Sequence, residues 1–151
     1  MGVYQIEKLM AETRRLASEY HTETGQVLPV SNELARYDVA HILGCKELEE
    51  PLSGVDLIGG ELWPDLKVQV KARVIFDSSK NRQRIGQINP DGLWDSVVLV
   101  IMDERYEPYE MYMASREILL EEINRKKSNR ANRGSMSLSK FKILSERVWS
   151  K

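Results

Sequence analysis

Three polar residues on two neighbouring predicted strands have the types and the spacing of a hydrolytic metal site. In the stretch KVQVKAR, residues 67–73, apolar and polar residues alternate as on a β-strand with one apolar face. Gln69 and Lys71 lie on its polar face, and Asp56 points away from the apolar side of the shorter predicted strand GVDLI, residues 54–58. If the two strands form a hairpin, Asp56 lies opposite Gln69 or close to it. The three side chains then share one face.

A carboxylate, an amide and a lysine in this arrangement can support metal-assisted hydrolysis. The Asp56 carboxylate is a ligand of the kind that Mg²⁺ takes, and Mn²⁺ is the alternative ion. The side-chain oxygen of Gln69 and the backbone carbonyl of Val70 are further candidate ligands. A metal bound there polarises a phosphoryl oxygen and lowers the pKa of a bound water. Lys71 would orient that water or stabilise charge on the phosphate.

The pattern D-x12-Q-x-K, formed by Asp56, Gln69 and Lys71, resembles the PD-(D/E)XK nuclease superfamily, which includes restriction enzymes and Holliday-junction resolvases. It is similar to the subset in which Gln replaces the usual acidic residue. The resemblance implies a restriction-endonuclease-like core, a Mg²⁺ cofactor and hydrolysis of DNA. It also implies a further acidic residue on the helix before the first strand, where this chain has Glu33. Val55 stands where the superfamily usually has Pro, and a polar loop follows the lysine strand where a helix is usual.

A second resemblance covers most of the chain. Residues 31–149 look like a set of prokaryotic proteins without an assigned function, which share a VQIK-type strand, matched here by VQVK. The matching segments also include VVLVIMDERYEP and NRGSMSLSKFKILSERVW. This resemblance implies a family relationship and no particular activity.

Hydrophobic periodicity predicts an α/β (α+β) fold in which a small mixed sheet of about four strands is flanked by helices. We expect residues 1–151 to form a single domain, with an N-terminal helix within 1–25 and a basic C-terminal segment at 125–151. The strand at 96–102 is apolar on both faces and should be central. The predicted helices are 4–20, 31–44, 116–127 and 137–149, and the predicted strands are 54–58, 66–75, 96–102 and 108–114.

Basic residues are concentrated in two segments, the loop at 80–84 and the C-terminal segment, and we expect both to contact nucleic-acid phosphates. Residues 121–151 hold nine Lys or Arg against three Asp or Glu, beside an acidic remainder of the chain. This asymmetry favours a polyanionic partner, although a solvated surface has the same composition. The candidate nucleic-acid-binding residues are Lys80, Arg82, Arg84, Arg125, Lys126, Lys127, Arg130 and Arg133.

The remaining composition limits the other classes of protein. A single cysteine, Cys45, excludes an internal disulfide and fits a cytoplasmic protein. One Cys with the distant His21 and His41 does not make a structural zinc site. The longest apolar run, Val97–Met102, is too short to span a bilayer, so we expect no membrane partner. Free sheet edges would allow a homodimer.

Two alternatives to a nuclease stay open at this point. Because Gln69 is neutral and a poorer Mg²⁺ ligand than a carboxylate, the chain can also be a catalytically inactive module that binds nucleic acid or a protein partner. A structural or toxin–antitoxin-like subunit that pairs through strand edges is the third reading. Glu33 has its own alternative, an ion pair with Arg36 one turn later on the helix.

Overall fold

The computed structural model describes residues 2–76, 83–125 and 135–151. Within these residues the chain forms four helices and one six-stranded sheet. In chain order, the elements are α1 (Val3–Thr24), α2 (Ser31–Ile42), β1 (Lys46–Leu52), β2 (Val55–Ile58), β3 (Lys67–Val74), β4 (Ser96–Met102), β5 (Pro108–Ser115), α3 (Arg116–Arg125), α4 (Leu138–Leu144) and β6 (Glu146–Ser150). The α+β class predicted from the sequence is confirmed.

The sheet is mixed, and its strands lie side by side in the same order as in the chain. Only β3 and β4 pair in parallel, whereas the other four neighbouring pairs are antiparallel. Every residue of β4 is buried. Residues of β4 contribute to core clusters on both faces, with Val98 in one cluster and Val97 in the other. The prediction of a central strand covered on both faces is therefore confirmed.

The sheet has six strands rather than the predicted four, and β1 is the first of the two additions. Its sequence, KELEEPL, carries four charges and a proline, so neither composition nor alternation predicted a strand. It pairs only with β2 and lies at the edge of the sheet. Proline and charged side chains are compatible with an edge strand because one side of its backbone needs no partner.

The second addition, β6, corrects the predicted last helix. Leu138, Phe141, Leu144 and Val148 have helical spacing in the sequence, but α4 ends at Leu144. Ser145 is extended, with φ −117° and ψ 173°, and Val148 belongs to β6. Because β6 pairs with β5, tertiary pairing outweighs the helical periodicity of the apolar residues over this segment.

Helix α2 packs on β3 and thereby fixes one side of the candidate site. Leu34 and Val39 of α2 lie in the same core cluster as Val68 and Val70 of β3. The polar residues of β3 alternate with these valines and are half-buried. The alternation predicted for the strand is confirmed, and it places the first turn of α2 beside the polar segment of β3.

Helix α1 is attached to the rest of the molecule by a buried polar contact. The Arg14 guanidinium forms an ion pair with Asp38 of α2 and donates to the backbone carbonyl of Tyr106. His21 stacks on Phe76 with ring centroids 3.6 Å apart. No helix in the described part of the chain combines the length and apolar character needed to cross a membrane.

Candidate active site

A small polar pocket of about 240 Å³ lies between the first turn of α2 and the strands β2 and β3. It brings together all the residues predicted to be catalytic or to bind metal, although they come from three different elements. It also includes two residues of α2 that the sequence analysis did not assign to the site. The lining residues are Asn32, Glu33, Arg36, Asp56, Gln69, Val70 and Lys71.

Asp56 is held at the point where β2 and β3 stop pairing through their backbones. The strands pair at Leu57 with Val68 and at Ile58 with Lys67. At the residue before Leu57, the carboxylate oxygen Oδ2 of Asp56 accepts the backbone N–H of Val70 at 2.7 Å. This bond fixes the carboxylate against β3. The second oxygen, Oδ1, accepts no hydrogen bond from the described residues and is available to a ligand.

Gln69 has a buried acceptor atom without a hydrogen-bond partner among the described residues. Its Nε2 donates to the backbone carbonyl of Gly54 at 3.1 Å, which fixes the amide orientation, because only the NH₂ group can donate to a carbonyl. Its Oε1 is buried and makes no hydrogen bond within the described residues. Leaving a buried acceptor unsatisfied costs about 1–3 kcal/mol, so such an atom usually marks a missing ligand, ion or water.

Gly54, whose carbonyl accepts from Gln69, lies in a tight turn that requires glycine. Its φ of 74° lies in the left-handed region, where a residue without a Cβ is favoured. A Cβ at this position would lie 2.9 Å from the Cα of Gly92 and 3.6 Å from Nε2 of Gln69. Glycine at residue 54 is therefore needed for the close approach of this turn to Gly92, whereas the distance to the amide is an ordinary van der Waals contact.

Lys71 lies against the loop that follows β3. Its Nζ donates to the backbone carbonyl of Gln87 at 2.9 Å. Burial lowers the pKa of Lys71, while the nearby Asp56 carboxylate acts in the opposite direction and Arg73 adds to the lowering. The ammonium is thus fixed at the pocket, and its proton is held less tightly than that of an exposed lysine.

Glu33 and Arg36 form an ion pair at the mouth of the pocket. The Arg36 Nη2 lies 2.8 Å from Oε2 of Glu33, and their side chains are 42% and 67% exposed. The alternative that the sequence left open for Glu33 is therefore present in the structure. Because both residues also line the pocket, the ion pair does not remove Glu33 from the site.

The donor set of the pocket fits a hard divalent cation with an incomplete protein shell. No group of three or more His, Cys, Asp or Glu side chains that could hold a metal occurs in the described residues. The oxygens available at the pocket are those of Asp56 and Glu33, with the neutral oxygens of Gln69 and Val70. Mg²⁺ is usually bound by one or two carboxylates together with waters and substrate phosphates. The unpartnered Oε1 of Gln69 adds a suitable neutral ligand.

Of the basic residues predicted to bind nucleic acid, the two that the structure describes, Arg84 and Arg125, do not line this pocket. Arg84 is engaged with Ser135, to whose Oγ and backbone oxygen it donates at 3.2 and 3.1 Å. Arg125 forms an ion pair with Glu122 at 3.0 Å. The other six predicted residues lie outside the described part of the chain, so their role stays a prediction. They are Lys80, Arg82, Lys126, Lys127, Arg130 and Arg133.

Sequence reasoning missed Arg36 and Asn32 as lining residues. Arg36 was treated only as a partner for Glu33, because its spacing of three residues predicts an ion pair on a helix surface. A signal was nevertheless present. Once Glu33 is placed beside the strands, a residue one helical turn later lies on the same face of α2.

No family model matches this chain, and no curated protein is similar enough in sequence to be identified as a relative. The resemblance to the nuclease superfamily therefore stays a prediction that rests on the residues of this chain.

Proposed function

We propose that the protein is a metal-dependent nuclease-like hydrolase that cleaves phosphodiester bonds in DNA. The observation that carries the proposal is the pocket itself. It collects Asp56, Gln69, Val70 and Lys71, and the buried Oε1 of Gln69 lacks a partner among the described residues. An unsatisfied oxygen beside a carboxylate and a lysine favours a cation and an anionic substrate over a purely structural polar cluster.

Asp56 supplies the negative charge of the proposed metal site. Its Oδ2 is held by the N–H of Val70, so Oδ1 is presented at a defined position without a large loss of side-chain freedom on binding. Gln69 contributes a neutral oxygen from the neighbouring strand. A Mg²⁺ or Mn²⁺ ion bound to these oxygens would polarise a phosphoryl oxygen and lower the pKa of a bound water.

Lys71 has the geometry of a group that positions the attacking water or stabilises the phosphate. An ammonium has three N–H donors, and the carbonyl of Gln87 takes one of them. No other acceptor among the described residues takes an Nζ proton, so two donors remain there for a water or a phosphate oxygen. Its lowered pKa makes proton exchange with water easier than for an exposed lysine.

A second candidate function is an inactive module that keeps the pocket and binds nucleic acid. One observation favours it: Arg36 engages the Glu33 carboxylate, which leaves Asp56 as the pocket's carboxylate without an ion-pair partner in the described chain. A single carboxylate binds Mg²⁺ weakly unless substrate phosphates add ligands. This module would bind DNA in a salt-dependent way and would not hydrolyse it.

The deciding experiment is a cleavage assay with Mg²⁺ or Mn²⁺ on linear, nicked, branched and single-stranded DNA and on RNA. Lys71→Ala tests the site, and Lys67→Ala is the matched control, because Lys67 lies on the same strand and does not line the pocket. We expect metal-dependent cleavage that Lys71→Ala abolishes and Lys67→Ala preserves. Cleavage that both variants retain would contradict the proposed site. Salt-sensitive binding without cleavage would favour the inactive module.

A further inference from the structure

The ionisable residues that line the pocket balance in charge. Glu33 and Asp56 are acidic, whereas Arg36 and Lys71 are basic, so these four side chains together carry no net charge when all are ionised. A neutral pocket has no strong attraction for the phosphates of a nucleic acid. A divalent cation would give these groups a net charge of about +2, which matches a phosphate backbone.

The ion pair between Glu33 and Arg36 is of a kind in which each side chain can exchange its partner. Both side chains are substantially exposed, and they lie three residues apart on one helix. Pairs of this kind contribute little to stability, because water screens the charges and two long side chains must be ordered. A cation that needs a second carboxylate can therefore compete with Arg36 for Glu33.

We propose that the Glu33–Arg36 pair is a metal-controlled phosphate-binding switch. Without metal, Glu33 neutralises Arg36. When Glu33 turns to a divalent cation held by Asp56 and Gln69, the Arg36 guanidinium is released at the mouth of the pocket and binds a phosphate of the nucleic acid. A guanidinium suits this task because its donors can engage two phosphate oxygens together.

The proposal rests on the proposed function for the identity of the cation and the substrate, and it adds a substrate-binding residue. It also makes metal binding and DNA binding mutually dependent. If Glu33 bound to metal frees Arg36 for phosphate, then DNA bound to Arg36 must favour the metal-bound form by the same factor. The pocket would thus select metal and substrate together.

The experiment measures the affinity for a labelled DNA duplex by fluorescence anisotropy, in EDTA and in Ca²⁺, over a series of salt concentrations. Ca²⁺ is the probe because it takes oxygen ligands. For the wild type, we expect Ca²⁺ to tighten binding and to steepen the slope of log K against log salt by about one, as one added phosphate contact requires. Arg36→Gln should lose this increment.

Glu33→Gln should behave in the opposite way in EDTA. Because Arg36 is then unpaired without metal, we expect DNA binding to tighten by about twofold to fivefold. Ca²⁺ should change the salt slope little further. Calorimetry should show weaker Ca²⁺ binding to Glu33→Gln than to the wild type, which is a readout that does not depend on hydrolysis.

The matched controls are Arg15→Gln and Glu19→Gln on α1. These residues form a similarly exposed pair, 3.0 Å apart and 63% exposed on each side, and neither lines the pocket. They should show the same metal-dependent increase in salt slope as the wild type. A drop in affinity common to all four variants would overturn a specific role for Arg36.

The inference and the proposed function fail in different ways. Equal salt slopes for Arg36→Gln and wild type in Ca²⁺, or no DNA binding that responds to metal, would overturn the switch. If cleavage occurred in that case, the nuclease proposal would still stand. A metal-dependent slope increment that requires Arg36, without cleavage of any substrate, would support the switch and contradict the proposed hydrolysis.

Discussion

The carboxylate of Asp56 accepts the backbone N–H of Val70 at 2.7 Å, at the position where β2 and β3 stop pairing through their backbones. One residue therefore completes the strand pairing and presents a charged oxygen to the pocket. Its structural and chemical contributions can be separated by substitution, because an amide keeps the acceptor and loses the charge.

We predict that Asp56→Asn reduces cleavage at least about 100-fold, since the loss of the only anionic ligand held on the strands weakens metal stabilisation by several kcal/mol. Its free energy of unfolding should fall by less than about 1 kcal/mol, because the amide oxygen can still accept from Val70. Asp56→Ala should cost about 1–3 kcal/mol, because it leaves that N–H unsatisfied. Urea unfolding of both variants checks the difference, and equal losses would argue against a structural role for the bond.

Gln69→Glu should lower the free energy of unfolding without metal and raise the affinity for Mg²⁺. In EDTA, the new carboxylate would face the Gly54 carbonyl and lie near Asp56, so we expect a loss of about 1–3 kcal/mol in the free energy of unfolding. Added Mg²⁺ should restore most of that loss and should support cleavage at a lower concentration than in the wild type, because carboxylates bind Mg²⁺ better than amides.

Thermal unfolding with and without Mg²⁺ measures this effect. Lys67→Glu provides the control for a new charge on β3 outside the pocket. A Gln69→Glu variant that Mg²⁺ does not stabilise more than this control would contradict a metal ligand at residue 69.

Lys71→Met should abolish cleavage while making the fold more stable at neutral pH. The pKa of Lys71 is lowered by burial, so its charged form is less favourable in the folded chain than in the unfolded chain. The unfolded chain binds more protons between the lowered pKa and the ordinary value of 10.5. The free-energy cost of keeping Lys71 charged in the folded protein therefore falls as the pH rises through that window.

The advantage of Lys71→Met over the wild type should therefore shrink as the pH approaches 10.5. Denaturant unfolding at a series of pH values measures it. If the difference in stability did not change with pH, the charge of Lys71 would not be destabilising the folded protein.

The attachment of α1 should depend on the buried ion pair between Arg14 and Asp38, whose side chains are 9% and 6% exposed. Asp38→Ala would leave the buried guanidinium with only the more distant and half-exposed Glu107 carboxylate, 3.8 Å away, and we expect a loss of about 3 kcal/mol in the free energy of unfolding. Glu19→Ala removes a partner from the exposed pair with Arg15 and should cost less than about 1 kcal/mol. Similar losses in the two variants would contradict the importance of burial.

The part of the site that could be predicted from the sequence is the part set by strand alternation. A period of two places Gln69 and Lys71 on one side of β3 whatever the rest of the fold does. The bond from Val70 to Asp56 could not be predicted in this way, because it depends on where the backbone pairing of β2 and β3 ends. The pocket role of Arg36 follows from that of Glu33 on the same face of α2, and both depend on how α2 packs on β3, which no local pattern encodes.

The same limit explains the differences in the fold. Helical spacing of apolar residues was a correct guide to α4 as far as Leu144, but beyond it pairing with β5 decides the structure. The burial of Arg14 could not be predicted either, because hydrophobic periodicity counts apolar residues and gives no weight to a buried cation. Its partner Asp38 lies on another helix, so their contact is a property of tertiary packing.

All the residues that line the pocket fall between Asn32 and Lys71, in one uninterrupted stretch that contains α2, β1, β2 and β3. Every lining residue is therefore synthesised before β4, β5 and β6. The contacts between α2 and β3 span up to 39 positions, from Asn32 to Lys71, and the pairing of β3 with β4 spans 28, from Val68 to Ser96, so both must close a long loop. We expect all the pocket residues to be available for folding while the chain is still leaving the ribosome, before β5 and β6 have been synthesised to complete the sheet.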